Sequence, residues 1–396
     1  MKILAISNLF SPYVLGGYEI LCGQVCSRLR GRGHDVHVLT TSHGIDDAET
    51  AGDLDDDGVR RELGLYVPFG QPARLLRRQR RRTGRRNRRI TSEVIEELSP
   101  DVIFIWSQLR LTLGSARAAE ASGVPVVYTF NDEHISGFAP ARWGLNPRQF
   151  LRAFLDRVVF PEITLRGLDL TWTTSISHLV KNNLIRDGVP IPSCRIIYQG
   201  IPVERLPAEP TPGFIGRPAR VLYAGQLHKY KGVHTLVEAV SRVAEQRGAD
   251  ALTLSIAGSG PAEYRAQLEQ QAAATAAKVT FLGQVPHGDL PPLYRDHDIL
   301  VFPSVWQEPF GLTHLEAMAS GLPVISTADG GHGEFLEHEK DALVFPKEDG
   351  AALASALSRL LGEPSLAKRL ADEGRRVAMA RFSLGRYARD LETLLF

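Results

Sequence analysis

Cysteine is scarce in this chain, with three among 396 residues. That excludes a disulfide-stapled scaffold and fits a reducing compartment. Cys22 and Cys26 lie one helical turn apart, but no further Cys or His cluster completes a four-ligand metal site, so both read as core thiols. No run of about 18 apolar residues occurs, which excludes a membrane-spanning helix. The opening MKILAISNLFSPY is broken by Asn8 and Pro12 and reads as a first strand and its loop, not as a signal peptide. An excess of one charge sign is also missing: the net charge is +1, so acidic partners exert no general pull. Together these absences lead us to expect a cytoplasmic protein.

Short apolar runs separated by helical segments are abundant. In the first half they are KILAIS (2–7), VHVLT (36–40), VIFIW (102–106), VPVVYTF (124–130), LTWTTS (170–175) and RIIYQG (195–200). In the second half they are RVLYAG (220–225), LTLSIAG (252–258), VTFLG (279–283), ILVFP (299–303), PVIST (323–327) and ALVFP (342–346). Continuous hydrophobicity marks strands covered on both faces, as in parallel sheets. Apolar stripes such as Leu21, Val25 and Leu29 mark the covering helices. The length suggests two domains at ~150 residues each. We therefore expect an α/β protein of two Rossmann-like, doubly wound domains facing a central cleft. The boundaries read as 1–205, a Pro/Gly-rich linker at 206–218, 219–375, and a C-terminal helix over 376–396 that packs back toward the first domain. Leu384, Tyr387, Leu391 and Leu395 share one face of that last helix. Ligands of such sheets bind beyond the carboxyl ends of the strands.

The loops at those ends carry the chemistry. Gly16 and Gly17 precede a helix, where backbone amides and the helix dipole attract phosphate; a plain tight turn would look the same. The strand ending at Gly225 runs into QLHKYKG, which places Lys229 and Lys231 where a diphosphate could be met by point charges. AGSGP (257–261), with Gly258, is a second glycine-rich strand end. PSVWQEPFGL leaves a strand at Pro303 and starts a helix near Thr313. Glu308 lies in that loop and Glu316, past seven intervening residues, lies in the first turns of the helix. Carboxylates flanking an anion site would repel phosphate alone, but they suit the hydroxyls of a sugar and of a ribose with a diphosphate between them.

With LEAMASGLPVI, the interdomain RIIYQGIPVERL and the FSLGRYARDL tail, these segments resemble the family-four retaining glycosyltransferases of the GT-B fold, over nearly the whole chain. The resemblance implies Glu308 as the carboxylate nearest the donor sugar, beside the amides of Phe310, Gly311 and Leu312, with Thr313 next to them. It implies Glu316 on the ribose hydroxyls, Lys231 on the diphosphate, and Gly16 and Gly17 contacting the diphosphate from the other domain. Two departures stand out. Gln226 occupies a place where many members have arginine, so a charged fork is replaced by a neutral amide. Where many relatives carry histidine after the strand VVYTF, this chain has Asn131 and Asp132, with His134 three residues on from Asn131. Either His134 takes the role, or Asn131 orients the acceptor, or His134 is an unpaired surface residue.

The implied reaction moves a sugar, with retained configuration, from a nucleotide-diphosphate donor (UDP-sugar first, then GDP- or ADP-sugar) to a hydroxyl acceptor. The acceptor would be a glycan, a natural product, or an acidic or lipid-linked molecule. No cofactor or metal is implied: Asp55 with Asp57 belongs to an acidic loop, and Asp296 with Asp298 to a helix-to-strand boundary. The alternatives are a GT-B nucleotide-sugar epimerase or a phosphorylase of similar two-domain shape, and a non-catalytic lipid or nucleic-acid binder. The binder would rest on RLLRRQRRRTGRRNRR, from Arg74 to Arg89, which follows the acidic segment 46–57. No aromatic is interleaved for base stacking, so nucleic acid is not expected as a partner. The arginines cover every helical face with only Leu75 and Leu76 apolar, which predicts no buried stripe. Peripheral attraction to anionic lipid, recognition of an acidic acceptor, and a solvated helix all remain open readings of the run.

Overall fold

The computed structural model describes residues 1–14, 16–44, 57–69, 71, 77–141, 146–206 and 217–395. The chain forms two compact units, Met1–Tyr198 with Tyr387–Phe396, and Gln199–Arg386. The first contains strands β1 (Lys2–Ile6), β2 (Asp35–Thr41), β3 (Val59–Leu63), β4 (Val102–Ile105), β5 (Val126–Phe130), β6 (Thr173–Ser175) and β7 (Arg195–Ile196). All pair in parallel in the order β3-β2-β1-β4-β5-β6-β7. Helices α1 (Gly17–Arg30), α2 (Arg77–Leu98), α3 (Gly114–Ala121), α4 (Pro147–Phe154) and α5 (His178–Arg186) connect them. The expected continuous apolar runs hold: Ile3, Leu4, Ala5 and Ile6 are all buried, as only a strand covered on both faces permits.

The second unit contains β8 (Ala219–Ala224), β9 (Leu252–Ala257), β10 (Lys278–Gly283), β11 (Ile299–Phe302), β12 (Val324–Ser326) and β13 (Leu343–Val344), parallel in the order β10-β9-β8-β11-β12-β13. Its helices are α6 (Val233–Arg247), α7 (Ala262–Ala273), α8 (Leu290–Arg295), α9 (Leu312–Ala319), α10 (Gly350–Gly362) and α11 (Pro364–Arg381). Val221, Tyr223, Leu254, Ile256 and Val301 from the sheet pack with Leu236, Val240, Leu353 and Leu357 from helices in one buried cluster. Each such side chain contributes about 1.5–3 kcal/mol by leaving water. Both sheets are therefore Rossmann-like, and each reverses strand order once, between β1 and β4 and between β8 and β11.

Three expectations need correction. The strand β3, VRREL, escapes the apolar pattern because only its Val and Leu are hydrophobic; as an edge strand it keeps its arginines and glutamate at the surface. The helix expected over 376–396 is two: α11 stops at Arg381, and α12 spans Leu384–Leu395. Between them the backbone pairs with Ile201, whose N–H donates to Phe382 O (2.8 Å) and whose carbonyl accepts from Leu384 N (2.7 Å). From Tyr387 onward α12 belongs to the first unit, where Tyr387 is buried against Trp106 and Glu392 takes hydrogen bonds from Arg32 (2.7 Å) and His34 (2.8 Å).

The third correction concerns the arginine run. Within α2, Arg80, Asn87, Thr91 and Val94 form a buried face, so a stripe exists after all. Within the run 74–89 only Arg80 and Asn87 supply it, both polar, which hid it from an apolar count; beyond the run Ile90 and Ile95 join Thr91 and Val94. The Arg80 guanidinium lies 4.3 Å from the Phe138 ring centroid and 5.5 Å from that of Tyr66, where cation–π contact replaces water. Asn87 donates to the Gly64 (2.9 Å) and Leu111 (2.7 Å) carbonyls and accepts from Gly64 N. At Gly114 a Cβ would meet the Gly84 carbonyl at 2.0 Å, so α2 and α3 touch backbone to backbone. Arg74, Leu75, Leu76 and all of the acidic segment except Asp57 lie outside the described residues. Cys22, Cys26 and Cys194 are buried and free.

Candidate active site

In the second unit the order reverses between β8 and β11, so the loops leaving these strands diverge and open a crevice. The loop after β8 carries Gln226 and Lys231; the loop after β11 carries Glu308. Their charged side chains meet there, with Lys231 Nζ donating to both Glu308 oxygens at 2.7 and 2.8 Å. Ser304 Oγ donates a third bond to Glu308 Oε1 (2.6 Å). Both charged groups are largely enclosed, at 12% and 8% side-chain exposure. Aromatic rings of Trp306 (5.3 Å), Tyr230 (5.6 Å) and Phe302 (5.6 Å) surround the ammonium. The Val305 and Trp306 amides both donate to the Tyr230 carbonyl, which locks the two loops together.

Two glycines make this approach feasible. Gly232, at φ +68°, lies so close to β11 that a Cβ would meet the Pro303 carbonyl at 2.0 Å. Gly330, in the loop after β12, would place a Cβ 2.4 Å from Glu308 N, and Gly331 N donates to Glu308 O (2.6 Å). Gly258 has a related reason to be glycine: at φ +150° it lies against Gly225. Its backbone N–H is taken by Gly283 O (2.7 Å).

The helix α9 begins beside Glu308. Gly311 is its N-cap at φ +124°, and the amides of Gly311, Leu312 and Thr313 lie at a half-exposed helix start. The Phe310 side chain instead packs into the core against Phe335 and Phe382. Behind the cap, His314 and His332 stack with ring centroids 5.0 Å apart, both buried; burial pushes each below the ordinary imidazole range, so both are neutral. His314 Nε2 pairs with Ser326 Oγ (2.9 Å), while His332 lies beside the Thr327 backbone without closing a hydrogen bond.

Glu316 is one turn into α9. Its carboxylate accepts from Tyr294 OH (2.8 Å) in α8 and lies 3.0 Å from His287 Nε2 in the turn before α8. The hydrogen bond that His287 donates to the Glu316 carboxylate raises the His287 pKa, favouring imidazolium there. Glu316 is thus held by two side chains that sequence reading missed, and its placement needs no helix-dipole explanation. Gln226 has an exposed side chain; only its carbonyl is fixed, by Tyr223 OH (2.8 Å).

In the first unit, the loop after β1 leads to Gly16 and Gly17. Gly16 N does not stand free for an anion: Glu19, inside α1, takes it at 2.9 Å. Gly17 remains exposed at the helix start. Burial raises the Glu19 pKa to about 7, since a carboxylate there would be poorly solvated. The loops after β4 and β5 line a small pocket that includes Trp106, Gln108, Asn131, Asp132 and His134. Asn131 donates to Trp106 O (3.0 Å), and Asp132 accepts from His134 N (2.8 Å). His134 is no surface residue. It is half-buried with its ring edge-on to Phe138, and burial with Arg80 and Arg110 nearby lowers its pKa to about 4. Its Nε2 is sealed from solvent. Burial raises the Asp132 pKa.

Among the described residues, no group of three or more His, Cys, Asp or Glu side chains converges as a metal site. Asp298 is committed to Arg217 (2.7 Å to each oxygen) and Arg220 (3.2 Å).

The chain as a whole is similar to known proteins. Residues 15–205 match the family described as Glycosyltransferase Family 4, and residues 209–377 match Glycosyl transferases group 1. Glycogen synthase of Mycobacterium tuberculosis is 27% identical over 385 residues, covering 95% of this chain and 89% of that protein. Sucrose-phosphate synthase from Thermosynechococcus elongatus superposes with a TM-score of 0.74 at 22% identity, over 99% of this chain and 98% of that one. Anabaena HepE, solved in complex with UDP-glucose, gives 0.72 at 21% identity, over 100% and 99%. At these identities the two structures speak for the fold alone.

Proposed function

This chain is a glycosyltransferase of the GT-B type, and from that premise we propose that it transfers a hexose from a UDP-sugar to a hydroxyl acceptor with retention of configuration. The observation that carries the reading is the enclosed Lys231–Glu308 pair at the strand-order reversal of the second unit. An ammonium and a carboxylate within one crevice match the two ends of a sugar diphosphate, the anionic phosphates and the neutral hydroxyls.

In this reading Lys231 turns its charge to the diphosphate, while Glu308 accepts hydrogen bonds from the sugar hydroxyls. The amides of Phe310, Gly311, Leu312 and Thr313 add donors at a helix start, and Glu316, oriented by Tyr294 and His287, receives the ribose hydroxyls. Gln226 and Gly258 border the same crevice. Gly17 offers the amide that Gly16 cannot. Asn131, Asp132 and His134 serve the acceptor, Asn131 orienting its hydroxyl. Negative charge grows on the leaving phosphates in the transition state, so fixed donors aimed there lower the barrier most. The acceptor oxygen attacks the face the diphosphate leaves, and a leaving-phosphate oxygen takes its proton, so no protein nucleophile and no metal are required. A UDP-linked sugar is favoured because solved neighbours of this fold include complexes with UDP and UDP-glucose.

Thermal shift with UDP, GDP, ADP and their glucose conjugates tests the donor. UDP should raise Tm, and Lys231→Ala should abolish most of the rise. Silence toward every nucleotide would refute the reading. NMR of the product's anomeric proton then checks retention.

A further inference from the structure

The stretch NPRQFLRAFLDRVVF (146–160) lies outside the candidate active site. Twelve large hydrophobic side chains are exposed among the described residues, and five of them fall within ten positions here: Phe150 (55%), Leu151 (56%), Phe154 (40%), Val158 (60%) and Val159 (40%). Helix α4 starts cleanly, with Asn146 Oδ1 capping Arg148 N (2.9 Å) and Pro147 at the first position. One wider turn, Leu155–Val159, continues it. Its amphipathicity is inverted relative to a helix of a soluble domain. Ala153 and the acid Asp156 face inward, whereas Phe150, Phe154 and Val158, spaced four apart, face outward.

The inward side explains how the segment is held. Asp156 accepts from Arg77 Nη2 (3.0 Å) and from Ala141 N (3.3 Å), and Arg81 bonds Glu162 (2.6 Å) just beyond. The apolar patch is therefore anchored by the first turns of the arginine helix α2, and the two lie side by side in the first unit. Arg148 and Arg152 are exposed at the patch itself. On α2, Arg78, Arg82 and Arg85 form an exposed row one residue on from the anchoring Arg77 and Arg81. Among the described residues no carboxylate pairs with these three.

We propose that this surface docks onto an anionic lipid bilayer, with Phe150, Leu151, Phe154 and Val158 entering the acyl boundary and the arginines resting on headgroup phosphates. Exposed apolar side chains ringed by unneutralised cations fit a surface that is apolar within and negative at its rim. A protein partner would cover the patch equally well, but it would not call for a row of free arginines. Nucleic acid would use the arginines and leave the patch in water. The inference goes beyond the donor chemistry and does not depend on it.

The test is sedimentation of the whole chain with vesicles of phosphatidylcholine, alone or with about 30 mole per cent phosphatidylglycerol. Wild type should partition at least about tenfold more strongly to the anionic vesicles, with the advantage shrinking as salt rises. Leu151→Ser/Val158→Ser should lose at least about tenfold of that binding while unfolding at the wild-type temperature, because both side chains are more than half exposed. Arg78→Gln/Arg82→Gln/Arg85→Gln should lose the salt-dependent part and spare UDP binding. Failure of wild type to bind either vesicle overturns the proposal, as does binding unaffected by the two serines. A wild-type dimer that these serines dissociate, or DNA retardation without vesicle binding, also overturns it in favour of a different partner.

Discussion

The Lys231–Glu308 pair permits a sharp test by a double-mutant cycle. In Lys231→Met the Glu308 carboxylate keeps, among the described residues, a single side-chain donor, Ser304 Oγ, at 8% side-chain exposure. Stripping the partner from an enclosed charge costs about 3–5 kcal/mol, because the remaining ion can neither hydrate nor pair. Glu308→Gln strands the ammonium instead, but the lysine stem is flexible and three aromatic rings lie within reach, so about 1–3 kcal/mol is expected. In the double variant neither charge of the pair is left, and the introduced amide carbonyl can still accept from Ser304 Oγ. Its destabilisation should fall about 2 kcal/mol or more short of the sum of the single effects. Urea unfolding of the four proteins measures this directly. Additivity to within about 0.5 kcal/mol would refute the claim that the two charges are mutually dependent. The same cycle separates stability from function, since the double variant should fold but show no UDP-dependent rise in Tm.

Glu19 provides a pH signature. Its pKa is about 7 in the folded chain against 4.5 for a free carboxyl, so stability is fully present below about pH 4.5 and is lost as pH rises through 7. The linked loss is about 3 kcal/mol, and Glu19→Gln should abolish that slope and stabilise the protein at about pH 8; an unchanged slope by thermal unfolding from about pH 5 to 8 would contradict the assignment. Gly330→Ala should cost about 1–3 kcal/mol and weaken donor binding, because the new Cβ would lie 2.4 Å from Glu308 N. Gly288→Ala, with open space around its Cβ, should change neither and serves as the control.

Much of this protein was determined by its sequence alone. Continuous apolar runs specify parallel strands because a strand covered on both faces has no polar side to show, and Ile3–Ile6 and Ile299–Phe302 read that way without ambiguity. The candidate donor residues were also legible, since a glycine-lysine turn and two spaced glutamates follow strand ends where ligands bind. Tertiary structure decided what those residues touch. Lys231 and Glu308 are 77 positions apart, and only the strand-order reversal between β8 and β11 brings them within 2.7 Å. Tyr294 and His287 reach Glu316 across 22 and 29 positions, so no local pattern announces them. Gly16 reads as a free phosphate donor in the sequence, but Glu19 folds back on it. The arginine run shows the limit best: burial of Arg80 depends on Phe138 and Tyr66 arriving from distant segments, and the outward face of α4 depends on Asp156 being drawn inward by Arg77. Hydrophobic pattern is a property of the chain, whereas the neutralising partner of a charge is a property of the fold.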